Sequence, residues 1–140
     1  GDMLELSGIQ IQSSNQSFEF ANMWDVSPGE TLNITFDWHV LKRPDRDYSL
    51  FVHVTPPDSP TPIAQADISL GANSYPTGAW RPGDHLQDTV LLAIPPDLTA
   101  GEYEVWIGIY YYADNTRLTP TIENELLSDG RLLIGRLNLD

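Results

Sequence analysis

Apolar and polar residues alternate with a period of two through residues 31–41. Leu32, Ile34, Phe36, Trp38 and Val40 share one parity, and polar side chains occupy most of the other. Successive side chains of a strand point to opposite faces of a sheet, so this alternation predicts a strand with one buried face. A Pro-Gly turn precedes the segment and a proline follows it, and both are typical of strand boundaries.

Three further segments combine alternation with many β-branched and aromatic residues, and turn sequences separate them. They are residues 48–55, 86–94 and 102–112. Weaker patterns predict additional strands at residues 3–12, 18–21, 63–70 and 131–139. Only residues 122–127 have a pattern compatible with a helical turn. We therefore expect about seven to nine short strands and almost no helix.

Many short strands separated by turns are typical of two packed antiparallel sheets. Tyr103 adds a specific signal, because it begins a strand directly after a tight turn that contains Leu98 and Gly101. In Greek-key sandwiches a tyrosine at this place often bonds through its hydroxyl to the backbone of the preceding connection. The sequence thus predicts an all-β, immunoglobulin-like antiparallel β-sandwich with Greek-key topology, as a single domain over residues 1–140.

The net charge of the chain restricts the classes of partner that it can bind. Seven Lys and Arg residues stand against twenty Asp and Glu residues, which gives a net charge of −13. So few cations cannot supply a basic surface for nucleic acid or for an anionic membrane. The chain has no cysteine, so it forms neither disulfides nor thiolate metal sites. With 41% hydrophobic residues, the composition is that of a folded domain.

Three segments in fixed order resemble a known bacterial domain. They read DYSLFVHV at 47–54, YPTGAWRPGD at 75–84 and PPDLTAGEY at 95–103, and GIY follows at 108–110. Together they resemble an immunoglobulin-like domain found at the carboxyl end of membrane proteins of glycosyltransferase type. The likeness covers residues 27–118, whereas residues 119–129 depart from the pattern and are expected to be a local insertion.

This resemblance implies an extracytoplasmic or secreted location and a larger parent protein, from which residues 1–140 would be excised. It brings no catalytic residue with it. The residues themselves agree, because they form no nucleophile elbow, phosphate loop or dinucleotide motif. We therefore expect no enzymatic activity, no cofactor and no metal ligand.

The three histidines are the residues best suited to acid-base or metal chemistry, but their spacing matches no metal or catalytic motif. We expect His39 to lie on a solvent-facing strand side and His53 to be packed and hydrogen-bonded. These two side chains can meet only if their strands are neighbours.

Two loops suggest calcium binding. Asp45 and Asp47 lie in one, and Asp114, Asn115 and Thr116 lie in the other. Hard cations bind such oxygen ligands. Asp and Asn are also common turn residues that bond the local backbone. A calcium-stabilised adhesion domain is therefore a less favoured interpretation than a module that packs against a domain or contacts glycan.

Aromatic residues give the stronger functional signal. If strands 48–55 and 102–112 are neighbours, Phe51, His53, Trp106 and Tyr110 share the sheet face opposite the core, extended by Ile134 and Arg136. An apolar sheet face is rarely left bare to water. Trp24 and Trp38, in contrast, are expected in or at the edge of the core.

Three kinds of cover suit this face. One is the chain's own connection 71–85, which carries Tyr75 and Trp80. Another is a neighbouring domain or a second copy of the chain. The third is a glycan, whose rings stack on aromatic side chains while polar neighbours bond the hydroxyls. Exposed aromatic side chains favour the glycan, and buried ones favour a scaffold.

The sequence thus predicts a non-catalytic extracytoplasmic module that packs against or positions a neighbouring domain of a cell-envelope protein and contacts glycan. A carbohydrate-binding module with exposed Trp and Tyr anchors is the alternative. Its partners are a neighbouring domain or glycan, with no nucleic acid and no direct membrane insertion. The candidate ligand or interdomain face consists of six residues, namely Phe51, His53, Tyr75, Trp80, Trp106 and Tyr110.

Overall fold

The computed structural model describes residues 4–13, 16–18, 23–42, 47–59, 61–70, 80–111, 113, 117–118, 127–128 and 131–139. These residues form eleven strands and no helix, so no described segment is a helix that could span a membrane. The strands are β1 (Leu4–Gln12), β2 (Ser17–Phe18), β3 (Met23–Val26), β4 (Thr31–Val40), β5 (Ser49–Thr55), β6 (Ala64–Ser69), β7 (His85–Ala93), β8 (Gly101–Tyr110), β9 (Arg117–Leu118), β10 (Leu127–Ser128) and β11 (Arg131–Leu139).

Two sheets divide these strands. The smaller sheet has the order β2-β1-β4-β7, and the larger one has the order β10-β11-β8-β5-β6, with β3 beside β11 and β9 beside β8. The chain passes from the smaller to the larger sheet three times, between β2 and β3, between β4 and β5, and between β7 and β8. This arrangement is an immunoglobulin-like β-sandwich, as the sequence predicts.

The predicted strands at 31–41, 48–55, 86–94 and 131–139 agree with the structure to within one residue at either end. The described strand pairings are antiparallel except that of β3 with β11, which is parallel. The sequence pattern also missed β3, β9 and β10. Leu127, expected at the end of a helical turn, lies in strand β10 instead; residues 122–126 lie outside the described part.

The alternation of β4 sets the core. Its five apolar residues from Leu32 to Val40 are all fully buried, and the opposite parity is exposed or half-buried. Buried apolar residues from both sheets, such as Trp24, pack with these five, and Trp80 joins them from the segment before β7. Trp24 and Trp38 therefore lie in the core as expected.

A β-bulge in β11 changes which of its side chains face the core. The pairing of β11 with β8 shifts between Leu133 and Gly135, so Ile134 turns inward and is fully buried. A Cβ atom at position 135 would overlap the indole of Trp24. Glycine is thus required where β11 passes over this buried ring, because the core is already filled to close packing.

Two Pro-Gly turns of the same design introduce β4 and β7. In the first, Gly29 has φ 85° and the N–H of Ser27 donates to Glu30 Oε2 at 2.8 Å. In the second, Gly83 has φ 91° and the N–H of Arg81 donates to Asp84 Oδ2 at 2.9 Å. Proline followed by glycine with positive φ is the sequence of a type II turn, which these angles match.

Each turn is also bonded to the far end of the partner strand. The N–H of Gly29 donates to the carbonyl of Ile94 at 3.0 Å, and the N–H of Gly83 donates to the carbonyl of Val40 at 2.8 Å. Thus the start of β4 is fixed to the end of β7, and the start of β7 to the end of β4. The register of this strand pair is thereby held at both ends.

Candidate functional site

The outer face of the larger sheet is built by two adjacent central strands. Strands β5 and β8 are antiparallel neighbours, as the aromatic pattern requires. Their register places His53 opposite Trp106 and Phe51 opposite Gly108. The alternate residues Leu50, Val52, Val54 and their counterparts on β8 face the core. Side chains of the outer parity therefore form one continuous surface on the side away from the smaller sheet.

Phe51 is the centre of an aromatic cluster on this surface. Its ring stacks on His53 with centroids 4.2 Å apart, and the Tyr110 ring lies 6.2 Å away. Tyr110 is held in turn by its hydroxyl, which donates to Asp67 Oδ2 at 3.0 Å. Only 3% of Phe51 is exposed, although it points away from the core. Phe51 thus lies beneath the surface, whereas the half-buried rings of His53 and Tyr110 are partly exposed to solvent.

Trp106 lies beside this cluster and is half-buried. Its Nε1–H donates to Glu104 Oε1 at 3.3 Å. From strand β11, the guanidinium carbon of Arg131 lies 4.3 Å from the centroid of the indole, a cation–π contact. The indole is therefore fixed at its edge by a carboxylate and covered on one face by a cation.

An open depression of about 330 Å³ adjoins Trp106. The turn after β5 forms one wall, and the outer faces of β8 and β11 form the rest. Its lining combines one large aromatic ring with carboxylates, hydroxyls and a guanidinium: Thr55, Pro57, Asp58, Ser59, Glu104, Trp106 and Arg131. This volume lies at the lower end of the range for small-molecule sites.

The structure places the other predicted site residues differently. Trp80 is fully buried in the core, so it is no exposed anchor and leaves the candidate surface. Tyr75 lies outside the described residues. Ile134 also belongs to the core, which corrects its expected place on the outer face; the bulge brings half-buried Leu133 opposite Trp106 instead. Arg136 is exposed on the outer face as expected.

Sequence reasoning missed several residues of this surface. The alternation in β11 does not identify Arg131 and Leu133 as outward-facing, because the bulge shifts the parity within the strand. Met23, 43% exposed, aligns with Arg136 on the outer face, but strand β3 is too short to show alternation. Asp58 and Ser59 sit in a Pro-rich turn whose approach to Trp106 depends on tertiary structure.

The histidines do not form one site. His39 is on the smaller sheet and His53 on the larger, so their side chains lie on opposite outer faces of the sandwich. His39 instead stacks on His85 with centroids 4.4 Å apart, and Glu5 Oε1 lies 3.1 Å from His39 Nδ1. Next to them, Gln87 Nε2 donates to Asp37 Oδ1 at 2.6 Å. The outer face of the smaller sheet is thus a polar surface with cross-strand contacts.

Among the described residues, no group of three or more His, Asp or Glu side chains is arranged to hold a metal ion. The calcium hypothesis concerns Asp45, Asp114, Asn115 and Thr116, which lie outside the described part. Asp47 is described and exposed.

Asp88 is fully buried on the core-facing side of β7. It shares the parity of Leu86, Val90 and Leu92 on this strand.

The fold resembles that of solved proteins with little sequence identity. No protein-family model matches the chain, and no curated protein matches it in sequence. A crystal structure of the C-terminal domain of Wzt matches with a TM-score of 0.68 and 13% identity, over 100% of this chain and 75% of that one. A Niemann-Pick type C2 protein from the Japanese carpenter ant matches with a TM-score of 0.62 and 9% identity, over 99% and 93%. These likenesses show the β-sandwich fold.

Proposed function

We propose that this domain is a non-catalytic, extracytoplasmic module of a larger cell-envelope protein that contacts glycan at the depression beside Trp106. The composition of that depression carries the proposal. Trp106 offers an apolar ring, while Asp58, Glu104 and Arg131 offer hydrogen-bond partners around it. A sugar ring needs both, because its C–H faces stack on aromatic rings and its hydroxyls require polar partners.

Three further observations support this proposal. The indole is positioned before any ligand binds, because Glu104 fixes its Nε1–H; such preorganisation lowers the entropic cost of binding. The acidic charge of the chain is compatible with an uncharged ligand. The absence of nucleophile and phosphate-binding motifs in the sequence favours binding without catalysis. The extracytoplasmic location rests on the family resemblance of residues 27–118.

A glycan array followed by calorimetry on the purified domain tests the proposal. We expect binding of neutral saccharides by the wild type and a loss of roughly thirtyfold in Trp106→Ala, the equivalent of ~2 kcal/mol for a central aromatic contact. Leu91→Ala is the matched control. Leu91 is 63% exposed on β7 of the smaller sheet, and its truncation should leave binding unchanged. Absence of binding across the array, or equal affinities for wild type and Trp106→Ala, would contradict the proposal.

A second candidate function is the packing of a neighbouring domain on the same face. Met23 and Leu133 favour it, because apolar side chains accompany Trp106 on the outer face. In a longer protein that contains this domain and its neighbour, Leu133→Glu should then separate one cooperative unfolding transition into two. Leu91→Glu, at an exposed position of β7 in the smaller sheet, is the control. A single unchanged transition in Leu133→Glu would argue against this function.

A further inference from the structure

Arg131 covers the ring that the proposed glycan site depends on. It begins strand β11 and pairs with Gly108. Because Gly108 has no side chain, nothing from that position separates Arg131 from the neighbouring indole. The guanidinium carbon lies 4.3 Å from the ring centroid, which places the planar cation over a face of Trp106.

Arg131 and Trp106 both line the depression. A ligand that enters it therefore lies close to both the indole and the guanidinium that covers one of its faces. A sugar ring that stacks on the same face must occupy the place of the guanidinium. The two contacts are therefore mutually exclusive on that face of Trp106.

We infer that Arg131 is a displaceable cap, which protects the indole in the free domain and yields its place to a neutral pyranose ring on binding. This inference rests on the proposed function. Arg131 and Trp106 are both accessible to solvent in part, and a solvated cation–π contact is weak enough to exchange at little cost. Asp58 and Glu104 line the same depression and offer carboxylates to the released guanidinium.

The same carboxylates define the class of ligand. Once Arg131 has moved, a saccharide on Trp106 shares the depression with the carboxylates of Asp58 and Glu104. An acidic sugar would bring a third carboxylate into this group, and like charges at short range repel. The site should therefore prefer neutral hexopyranosides to the corresponding uronic acids.

The first arm of the test needs no ligand. Of the four tryptophans, Trp24, Trp38 and Trp80 are fully buried, so quenching of fluorescence by acrylamide reports mainly on Trp106. Arg131→Ala should raise the quenching constant measurably. Arg136→Ala, an exposed arginine on the outer face of the same strand, should leave it unchanged. Equal quenching in wild type and Arg131→Ala would overturn the cap.

The second arm measures affinity with neutral methyl hexopyranosides of the gluco, galacto and manno series and with the methyl glycosides of their uronic acids. Arg131→Ala should bind the neutral probes about two- to fivefold more tightly, which corresponds to removal of a competitor worth ~0.5–1 kcal/mol. The uronic acids should bind the wild type more weakly than the neutral probes.

The two arms separate the possible failures. If the wild type binds neutral sugars and Arg131→Ala binds them more weakly, Arg131 contacts the ligand directly and the cap is wrong, while the proposed function stands. Tighter binding of the uronic acids would overturn the assigned ligand class. If neither the wild type nor Arg131→Ala binds any probe, the proposed function is wrong, and the displacement of Arg131 by a sugar is wrong with it.

Discussion

The hydroxyl of Tyr103 donates a hydrogen bond to the backbone carbonyl of Thr99 at 2.6 Å. This contact is the tyrosine corner that the sequence predicts from the turn before β8. The ring of Tyr103 is buried on the core side of the strand, so its hydroxyl needs a partner at the sheet edge. The bond fixes the connection between β7 and β8, where the chain passes from one sheet to the other.

We expect Tyr103→Phe to lower the free energy of unfolding by about 1 kcal/mol, because the carbonyl of Thr99 loses its partner while the ring is kept. The melting temperature should fall by roughly 2–5 °C. Tyr110→Phe is the control: its hydroxyl bonds to Asp67 at an exposed position, where the loss should stay within ~0.5 kcal/mol. Chemical denaturation measures both. Equal losses of stability in the two variants would show that the tyrosine corner stabilises the domain no more than an exposed hydrogen bond does.

At the level of elements, the β4–β7 pair is the most strongly specified part of the smaller sheet. Its two Pro-Gly turns each bond to the far end of the partner strand, as described above. Both glycines have a positive φ that other residues adopt only with strain. An added Cβ would meet nothing within 4 Å at Gly83 and only ordinary contact at Gly29. The requirement for glycine is therefore conformational rather than steric.

Gly83→Ala should accordingly destabilise the domain by about 1–2 kcal/mol, because alanine must adopt the left-handed region without relief. Gly83→Asn should cost less, since asparagine tolerates that region better than alanine. Denaturant unfolding of the two variants provides the measurement. If alanine and asparagine cost the same, the cost does not arise from backbone strain.

For the whole molecule, the tryptophans have two separate roles. Trp24, Trp38 and Trp80 fill the space between the sheets, whereas Trp106 lies on the outside of the larger one. Half of the twelve described acids, such as Asp25, Asp67 and Glu102, are exposed, and of the others only Asp88 is buried. These accessible carboxylates contribute to the net charge of −13 and repel anionic partners. The acidic charge does not account for the aromatic side chains on the outer face of the larger sheet, which therefore need a separate explanation.

Trp80→Ala should cost about 3–5 kcal/mol of stability, because it leaves a large cavity in the core. Trp106→Ala should cost only ~1 kcal/mol, since the half-buried indole loses mainly its contacts with Arg131 and Glu104. Unfolding monitored by far-ultraviolet circular dichroism measures both. A large loss in Trp106→Ala would make this ring a structural element and weaken its assignment to ligand contact.

Much of the fold could be predicted because it is local. The alternation in β4, the Pro-Gly turns and the position of Tyr103 each act within a few residues, and all appear in the structure as expected. The candidate site could be predicted only in part. Residues on β5 and β8 follow the period of two, but β11 does not, because its bulge places Ile134 in the core and half-buried Leu133 on the outer face.

The sequence by itself determined the β-sandwich, its acidic character and the presence of aromatic residues in excess of what one core face needs. Periodicity and composition contain these properties, because side-chain direction in a strand depends only on parity. Tertiary structure alone decided which tryptophan is available to a ligand. The sequence analysis assigns both Trp80 and Trp106 to the candidate face, but Trp80 fills the core. Trp106 instead lines a depression with Glu104, Arg131 and Asp58, which come from three separate segments. This arrangement of side chains depends on strand register and on the β-bulge in β11, and long-range packing determines both.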